Sequence, residues 1–261
     1  MRDELIVERS GAAATITIDR PEQRNAISYD LWGHFPGVLA ELDADPAVRV
    51  VLLTGAGDRA FSAGADIKDF EQTRSSPEKS RDYRKRVEVA CEALAGMSKP
   101  TIVIVRGYCI GGGLEFAIHA DIRVGDETAQ LSLPAAKRGL GIGHRMLSRL
   151  EHLAGAANTS YLLLSARMLN ARDAKAAGLL NEVVAPVDLD SFVEGLATDI
   201  AESSPMSHRN HKAVIADIIE YGSVQLIPQE RLNRPPLESS EDFWEGVQSF
   251  KEKRKPNFPG R

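Results

Sequence analysis

The sequence predicts an α/β core to about residue 195 followed by an all-helical end, and three observations carry that expectation. Residues 48–54 and 101–105 are short, almost wholly apolar runs, with the length and composition of strands buried on both faces. Between and after them lie glycine-rich turns and stretches whose apolar residues recur at helical spacing. Beyond residue 195 the strand pattern stops and every further periodic stretch reads as helix.

The elements follow in order. Ala14-Thr15-Ile16-Thr17-Ile18 alternates as a half-buried strand does, and residues 19–25 form a polar turn. Ser28 is a candidate cap for a helix to about Asp43, within which Gly33 and Pro36 are weak helix formers. The 48–54 strand ends at Gly55-Ala56-Gly57-Asp58. Residues 69–80 are polar and charged and read as a mobile loop. A helix over 83–97 places Val87, Ala90, Cys91 and Leu94 on one face. After the 101–105 strand come Gly111-Gly112-Gly113, a helix over 114–120, and short strands at 122–124 and 129–132. Helices are expected at 145–153, 156–164 and 171–177, the last stopped by Gly178, then at 189–203, 207–221, 225–232 and 239–253.

At 261 residues and a net charge of −5, the chain has the size of one large domain or a domain with an appendage. The acidic balance argues against a nucleic-acid partner, and the apolar runs are too short to span a bilayer. Met1-Arg2-Asp3-Glu4 lacks an apolar leader, and Cys91 and Cys109 form neither a disulfide framework nor a metal spacing. A reducing, cytoplasmic setting is expected. His208-Arg209-Asn210-His211 has no third ligand pattern beside it, so no metal is expected.

Chemistry concentrates at two turns. In Gly107-Tyr108-Cys109-Ile110-Gly111-Gly112-Gly113 followed by Leu114-Glu115, successive glycines allow close backbone approach, and a helix start leaves N–H groups unpaired. Such a turn can hold an anion, or it can be a tight packing turn. It lacks the spacing of a dinucleotide or Walker-type phosphate loop. A second small-residue turn, Phe61-Ser62-Ala63-Gly64-Ala65-Asp66-Ile67-Lys68, follows the 48–54 strand. Two such turns can each present one N–H to a single carbonyl oxygen, the geometry of an oxyanion hole.

The second turn resembles the F-x-A-G-A-D-I-K signature of the enoyl-CoA hydratase/isomerase (crotonase) superfamily. Ser98-Lys99-Pro100, Val105-Arg106-Gly107-Tyr108, Gly111-Gly112-Gly113 and Glu115 resemble its second signature. Asp19-Arg20-Pro21 with Asn25-Ala26, the 170–179 stretch, and Glu241-Asp242-Phe243 through Lys253-Arg254-Lys255-Pro256 resemble its first turn, a later helix and its C-terminus. The resemblance covers nearly the whole chain in order. It implies a crotonase-like β-β-α spiral (ClpP/crotonase fold) over 1–195, holding an acyl-CoA site, and a C-terminal helical trimerisation region over 196–261. Trimers of this kind often pair into hexamers. Coenzyme A enters as part of the substrate, and no separate cofactor is expected.

The resemblance also implies roles. The Ala65 and Gly112 N–H groups would hold a thioester enolate, and Glu115 would act as the acid/base. A bland alternative for Glu115 is a carboxylate placed to complement a helix start. The family's hydratases carry a second glutamate twenty residues on, in a Pro-Glu pair; here that pair reads Pro134-Ala135. Their Pro-Gly-x-Gly-Gly run is replaced by Ile142-Gly143-His144-Arg145-Met146, so His144 is a candidate substitute acid. His119, four residues after Glu115, either tunes it or is a packed or trimer-contact residue. Arg24, Ala63, Asp66, Ile67, Lys68, Gly111, Ala135, His144 and Phe258 complete the expected substrate and coenzyme A contacts. Three functions are open: hydration of a 2-enoyl-CoA; another reaction through the same enolate (isomerisation, decarboxylation, thioester or carbon–carbon hydrolysis); or acyl-CoA binding with weak catalysis.

Overall fold

The computed structural model describes residues 4–261, so Met1-Arg2-Asp3, where no leader is expected, lies outside the described residues. β1 (Leu5–Ser10) and β2 (Ala13–Ile18) form an antiparallel hairpin that pairs Leu5 with Ile18. Then follow α1 (Tyr29–Ala44), β3 (Val50–Gly55), β4 (Ala60–Ser62), α2 (Phe70–Thr73), α3 (Pro77–Ala95), β5 (Thr101–Val105), β6 (Tyr108–Ile110), α4 (Gly112–Ala117), β7 (Ile122–Asp126) and β8 (Gln130–Ser132). The remainder is α5 (His144–Ser165), β9 (Leu169–Asn170), α6 (Ala171–Ala176), β10 (Glu182–Val184), α7 (Leu189–Ala201), α8 (Pro205–Tyr221), α9 (Gln229–Leu232) and α10 (Glu241–Glu252).

The strands make two sheets, β1-β2-β3-β5-β7-β10 and β4-β6-β8-β9. Consecutive pairs β3/β4, β5/β6 and β7/β8 each contribute one strand to the large sheet and one to the small. The chain thus winds as the expected spiral of β-β-α turns. Within each sheet these strands run parallel, with Val51 opposite Thr101 and Tyr108 opposite Gln130.

The apolar runs are continuous because both faces of the large sheet are covered. Val51, Leu53, Val103 and Val105 face the main core with Trp32, Phe35 and Phe116. Their neighbours Val50, Leu52, Ile102 and Ile104 pack instead with Leu189, Val193 and Ala197 of α7. The boundary expected at residue 195 falls inside α7.

Ser28 caps α1, its hydroxyl accepting from the Leu31 N–H at 3.2 Å, and the helix runs through Gly33 and Pro36. At Gly33 an added Cβ would lie 2.8 Å from the Arg86 guanidinium, which stacks on Tyr29. The loop expected over 69–80 is corrected: it holds α2 and the first turn of α3. Ser76 accepts from the Lys79 N–H at 3.2 Å and Pro77 takes the first helical position, a cap pairing that the polar composition hid. α5 unites the two helices expected at 145–153 and 156–164 and breaks between them at Gly155, where φ is 72°. The helix expected over 225–232 shrinks to α9, preceded by a 3-10 turn at 224–226.

The last helices are tied together through Asp242. Its carboxylate accepts from Ser204 Oγ at 2.6 Å, the Met206 N–H at 3.1 Å and the Gly260 N–H at 2.7 Å. Large apolar side chains remain outside: Phe250 is 86% exposed and Trp244 61%. Among the described residues no helix is long and apolar enough to cross a membrane.

Candidate active site

The carboxyl ends of β4, β6 and β8 open onto one pocket. Ala63, Gly64 and Ala65 follow β4; Gly111, Gly112 and Glu115 follow β6; Leu133, Pro134 and Ala135 follow β8. Trp32 of α1, Phe70 and Tyr83, and Ile142, Gly143 and Met146 around the start of α5 close it.

Backbone geometry fixes the two donors. Ile27 forms a parallel bridge with Ala65, giving its N–H to Gly64 O at 2.7 Å and accepting from the Asp66 N–H at 3.0 Å. In such a bridge the N–H of the middle residue, Ala65, turns to the opposite side. Gly112 opens α4, so its N–H precedes the first intrahelical bond, from the Glu115 N–H to Gly111 O at 2.8 Å. An added Cβ on Gly112 would lie 3.4 Å from the Ala65 nitrogen, which sets the two donors side by side.

Two glycines make this approach possible. Gly64 has φ of 98°, and a Cβ there would sit 2.6 Å from Ile110 O. At Gly113 a Cβ would come within 2.6 Å of Ser62 O, so only glycine lets α4 lie against β4. The buried Ser62 hydroxyl accepts from the Gly64 N–H at 3.1 Å and holds the turn.

Glu115 lines the pocket one helical turn into α4. Burial raises its pKa to about 7; Glu88 raises it further, and Arg74 opposes both. A carboxyl with this pKa exchanges protons readily near neutral pH. His119 does not touch that carboxyl: its Nδ1 lies 2.7 Å from the Glu115 backbone oxygen, and burial lowers its pKa to about 4. It is a packed, neutral imidazole.

The other expected residues divide. Ala63, Ile67, Gly111 and Ala135 line the pocket with Ala65, Gly112 and Glu115. Asp66 is buried beside it in an ion pair with Arg20 at 2.9 Å and caps the turn at Lys68 N, 3.1 Å away. Arg24 stands at the rim, exposed, its backbone oxygen accepting from the Ala63 N–H at 2.9 Å. Lys68 and His144 are exposed and are not among the pocket-lining residues. Phe258 lies against Gly246 of α10, away from the pocket lining. Among the described residues no group of three or more His, Cys, Asp or Glu side chains is placed to hold a metal ion.

Sequence reasoning did not anticipate Trp32, Phe70, Arg74, Tyr83, Arg84, Glu88 and Arg138 in the lining. On helices the aromatic residues carry the signal of core packing, and the arginines that of surface. The Ser76-Pro77 cap was the available cue that Arg74 sits in ordered structure.

The whole chain has known counterparts. Residues 8–261 match the family model described as enoyl-CoA hydratase/isomerase. The chain is 31% identical to a crotonyl-CoA hydratase of Syntrophomonas wolfei over 98% of each protein. It is 30% identical to a short-chain-enoyl-CoA hydratase of Clostridium acetobutylicum, over 97% of this chain and 96% of that protein. A crystal structure of an enoyl-CoA hydratase/carnithine racemase from Magnetospirillum magneticum superposes with a TM-score of 0.94 at 32% identity, covering 99% of this chain and 96% of the other. The spiral, the paired backbone donors and these full-length matches lead to one conclusion: the chain belongs to the enoyl-CoA hydratase/isomerase family.

Proposed function

We propose that the protein adds water to the double bond of a 2-enoyl-CoA, with Glu115 as the acid/base and the Ala65 and Gly112 N–H groups as the oxyanion hole. The observation that carries this reading is the adjacency of the two donors, in the same pocket as a carboxyl whose pKa is raised to about 7. Ionised Glu115 takes a proton from water as its oxygen bonds the β-carbon. The alkene electron pair moves into the thioester, whose oxygen becomes the enolate held by the two N–H groups. The enolate collapses as the α-carbon takes a proton. Ala135 cannot supply that proton, so solvent water does so, and Glu115 returns the proton it took to the hydroxide left behind. Preorganised donors of this kind contribute about 3 kcal/mol each to the transition state.

Incubation with a panel of 2-enoyl-CoAs, read by loss of the conjugated thioester absorbance and by product mass, tests the proposal. The wild type is expected to yield products heavier by one water, with kcat/KM rising with pH through about 7 as Glu115 ionises. Glu115→Gln is expected to lose roughly 10²- to 10⁴-fold. Glu88→Gln in the same assay is expected to move this profile to lower pH, because Glu88 raises the Glu115 pKa, and to leave the rate at high pH unchanged. No hydration by a protein that still binds acyl-CoA overturns the reading.

Ala135 favours one second reading. With a methyl group in place of a second acid, the same enolate can serve isomerisation, decarboxylation, or thioester or carbon–carbon hydrolysis, and the product mass distinguishes these; binding without turnover would leave an acyl-CoA-binding protein. The site's occupant is the acyl-CoA substrate, and the reading calls for no further cofactor. Arg24, Lys68 and Phe258 are proposed contacts for the coenzyme A portion. We also assign self-association, as a trimer or a hexamer, to the helices after residue 195, supported by exposed Phe250, Trp244, Leu226 and Ile215. Two buried free thiols, Cys91 and Cys109, suit a cytoplasmic location.

A further inference from the structure

The wall of the pocket contains three buried polar atoms, Trp32 Nε1, Tyr83 OH and Arg74 Nε, that find no acceptor of good geometry among the described residues; the Tyr83 hydroxyl, within reach of Trp32 and Arg74, is the one oxygen the three share. Trp32 and Tyr83 are each 1% exposed. Leaving such groups unpaired is unfavourable, and native structures rarely do so without a reason.

The three form one cluster. The Arg74 guanidinium carbon lies 4.0 Å from the Tyr83 ring centroid and 4.4 Å from that of Phe70, and the two rings meet edge to face at 6.0 Å. Two aromatic rings therefore hold the cation in place before any ligand arrives. Trp32 Cζ2 lies 3.1 Å from where a Cβ on Gly112 would sit, which puts the indole beside the oxyanion hole. Arg84 and Arg138 line the same pocket, and none of the three arginines forms an ion pair among the described residues. The lining thus carries three guanidinium groups against two carboxyls, Glu88 and Glu115, one of which is half-protonated near neutral pH. Ala135 adds no charge.

We propose that Arg74, Tyr83 and Trp32 receive a carboxylate carried by the acyl group, so that the substrate is a short acyl-CoA with a second, free carboxylate rather than a plain fatty acyl-CoA. This rests on the acyl-CoA reading above and names its substrate class. An indole N–H, a phenol and a guanidinium N–H are all donors, and an anionic oxygen is the acceptor that satisfies them together. An ordinary alkyl chain would leave the two N–H donors with only the Tyr83 oxygen between them and the Tyr83 proton with no acceptor. The closeness of Trp32 to Gly112 limits the reach, so the free carboxylate sits only a few carbons from the thioester.

Calorimetric titration of the intact protein with matched saturated pairs tests this without turnover: succinyl-CoA against butanoyl-CoA, and glutaryl-CoA against pentanoyl-CoA. One carboxylated member is expected to bind about tenfold tighter than its partner, or better. Arg74→Met is expected to bring the ratio of the two Kd values close to one; should that variant not fold, Tyr83→Phe carries the test through a reduced ratio. A merely structural role for Arg74 would alter both affinities together and leave the ratio unchanged, which would overturn the proposal. If butanoyl- and pentanoyl-CoA bind as tightly as their carboxylated partners, the proposal fails while the acyl-CoA reading stands. If no member of either pair binds, both fall.

Discussion

Two arginines at opposite ends of the spiral, Arg123 buried and Arg74 half-buried, show different uses of burial. Arg123, at the amino end of β7, gives its Nε to Leu179 O at 3.0 Å, one terminal nitrogen to Ala120 O at 2.8 Å, and the other to Asn181 Oδ1 at 3.4 Å. Close by, Asp121 accepts from the Thr101 N–H and hydroxyl, each at 2.8 Å, and from Lys212 of α8. Burial lowers the Arg123 pKa to about 10, yet its donors are paired. At the carboxyl ends of the small sheet's strands, Arg74 rests on two aromatic rings, and its buried Nε faces no acceptor among the described residues. Buried polar groups that are fully paired hold elements together; those left unpaired in a pocket are what a ligand can complete.

The contrast can be broken by substitution. Arg123→Met would orphan several buried acceptors and is expected to lower stability by about 3–5 kcal/mol in urea unfolding. A loss below about 1 kcal/mol would show that the paired end does not hold the fold as its bonding suggests.

Next in size is Glu115→Gln, read as stability rather than activity. The folded-state pKa lies at about 7, above the ordinary 4.5, so folding disfavours the ionised form. Its neutral-state advantage is complete below about pH 4.5 and is lost as pH rises through 7. Glutamine, always neutral, is therefore expected to raise stability by up to about 3 kcal/mol at pH 8 and to have little effect at pH 4. Equal melting temperatures for the two proteins at pH 8 would refute this.

The smallest effect sharpens the comparison most. Tyr83→Phe removes a buried hydroxyl that only Trp32 and Arg74 approach, without otherwise changing shape, and the ligand-free protein is expected to change in stability by no more than about 1 kcal/mol. A larger loss on thermal melting would mean that the hydroxyl is already fully bonded within the wall and not held for a ligand.

The difference between the two ends also marks what the sequence makes legible. The buried strands announce themselves because Val50 to Leu53 and Thr101 to Val105 are apolar on both faces, and α1 because Ser28 precedes a helical pattern. β4 and β6, of three residues each, have no period to detect, and β1 ends in Glu8-Arg9-Ser10, which reads as surface. Glycine turns and a family resemblance singled out Ala65, Gly112, Glu115 and Ala135, which lie around one pocket. The opposite wall was illegible because Trp32 and Tyr83 obey the same apolar spacing as core residues. Only the three-dimensional count of partners separates an aromatic that fills space from one that offers a donor.

The spiral has a further consequence for how the chain reaches this state. Val51 pairs with Thr101 fifty residues later, and the pocket joins Trp32 to Met146. Contacts so distant in sequence close slowly, because loop entropy is lost before pairing compensates for it. During synthesis, at roughly 5–20 residues per second, the first strands would wait several seconds for their partners. The apolar outer faces of β3 and β5 would stay uncovered until α7 emerged, and that interval is when a nascent chain most needs a chaperone's protection.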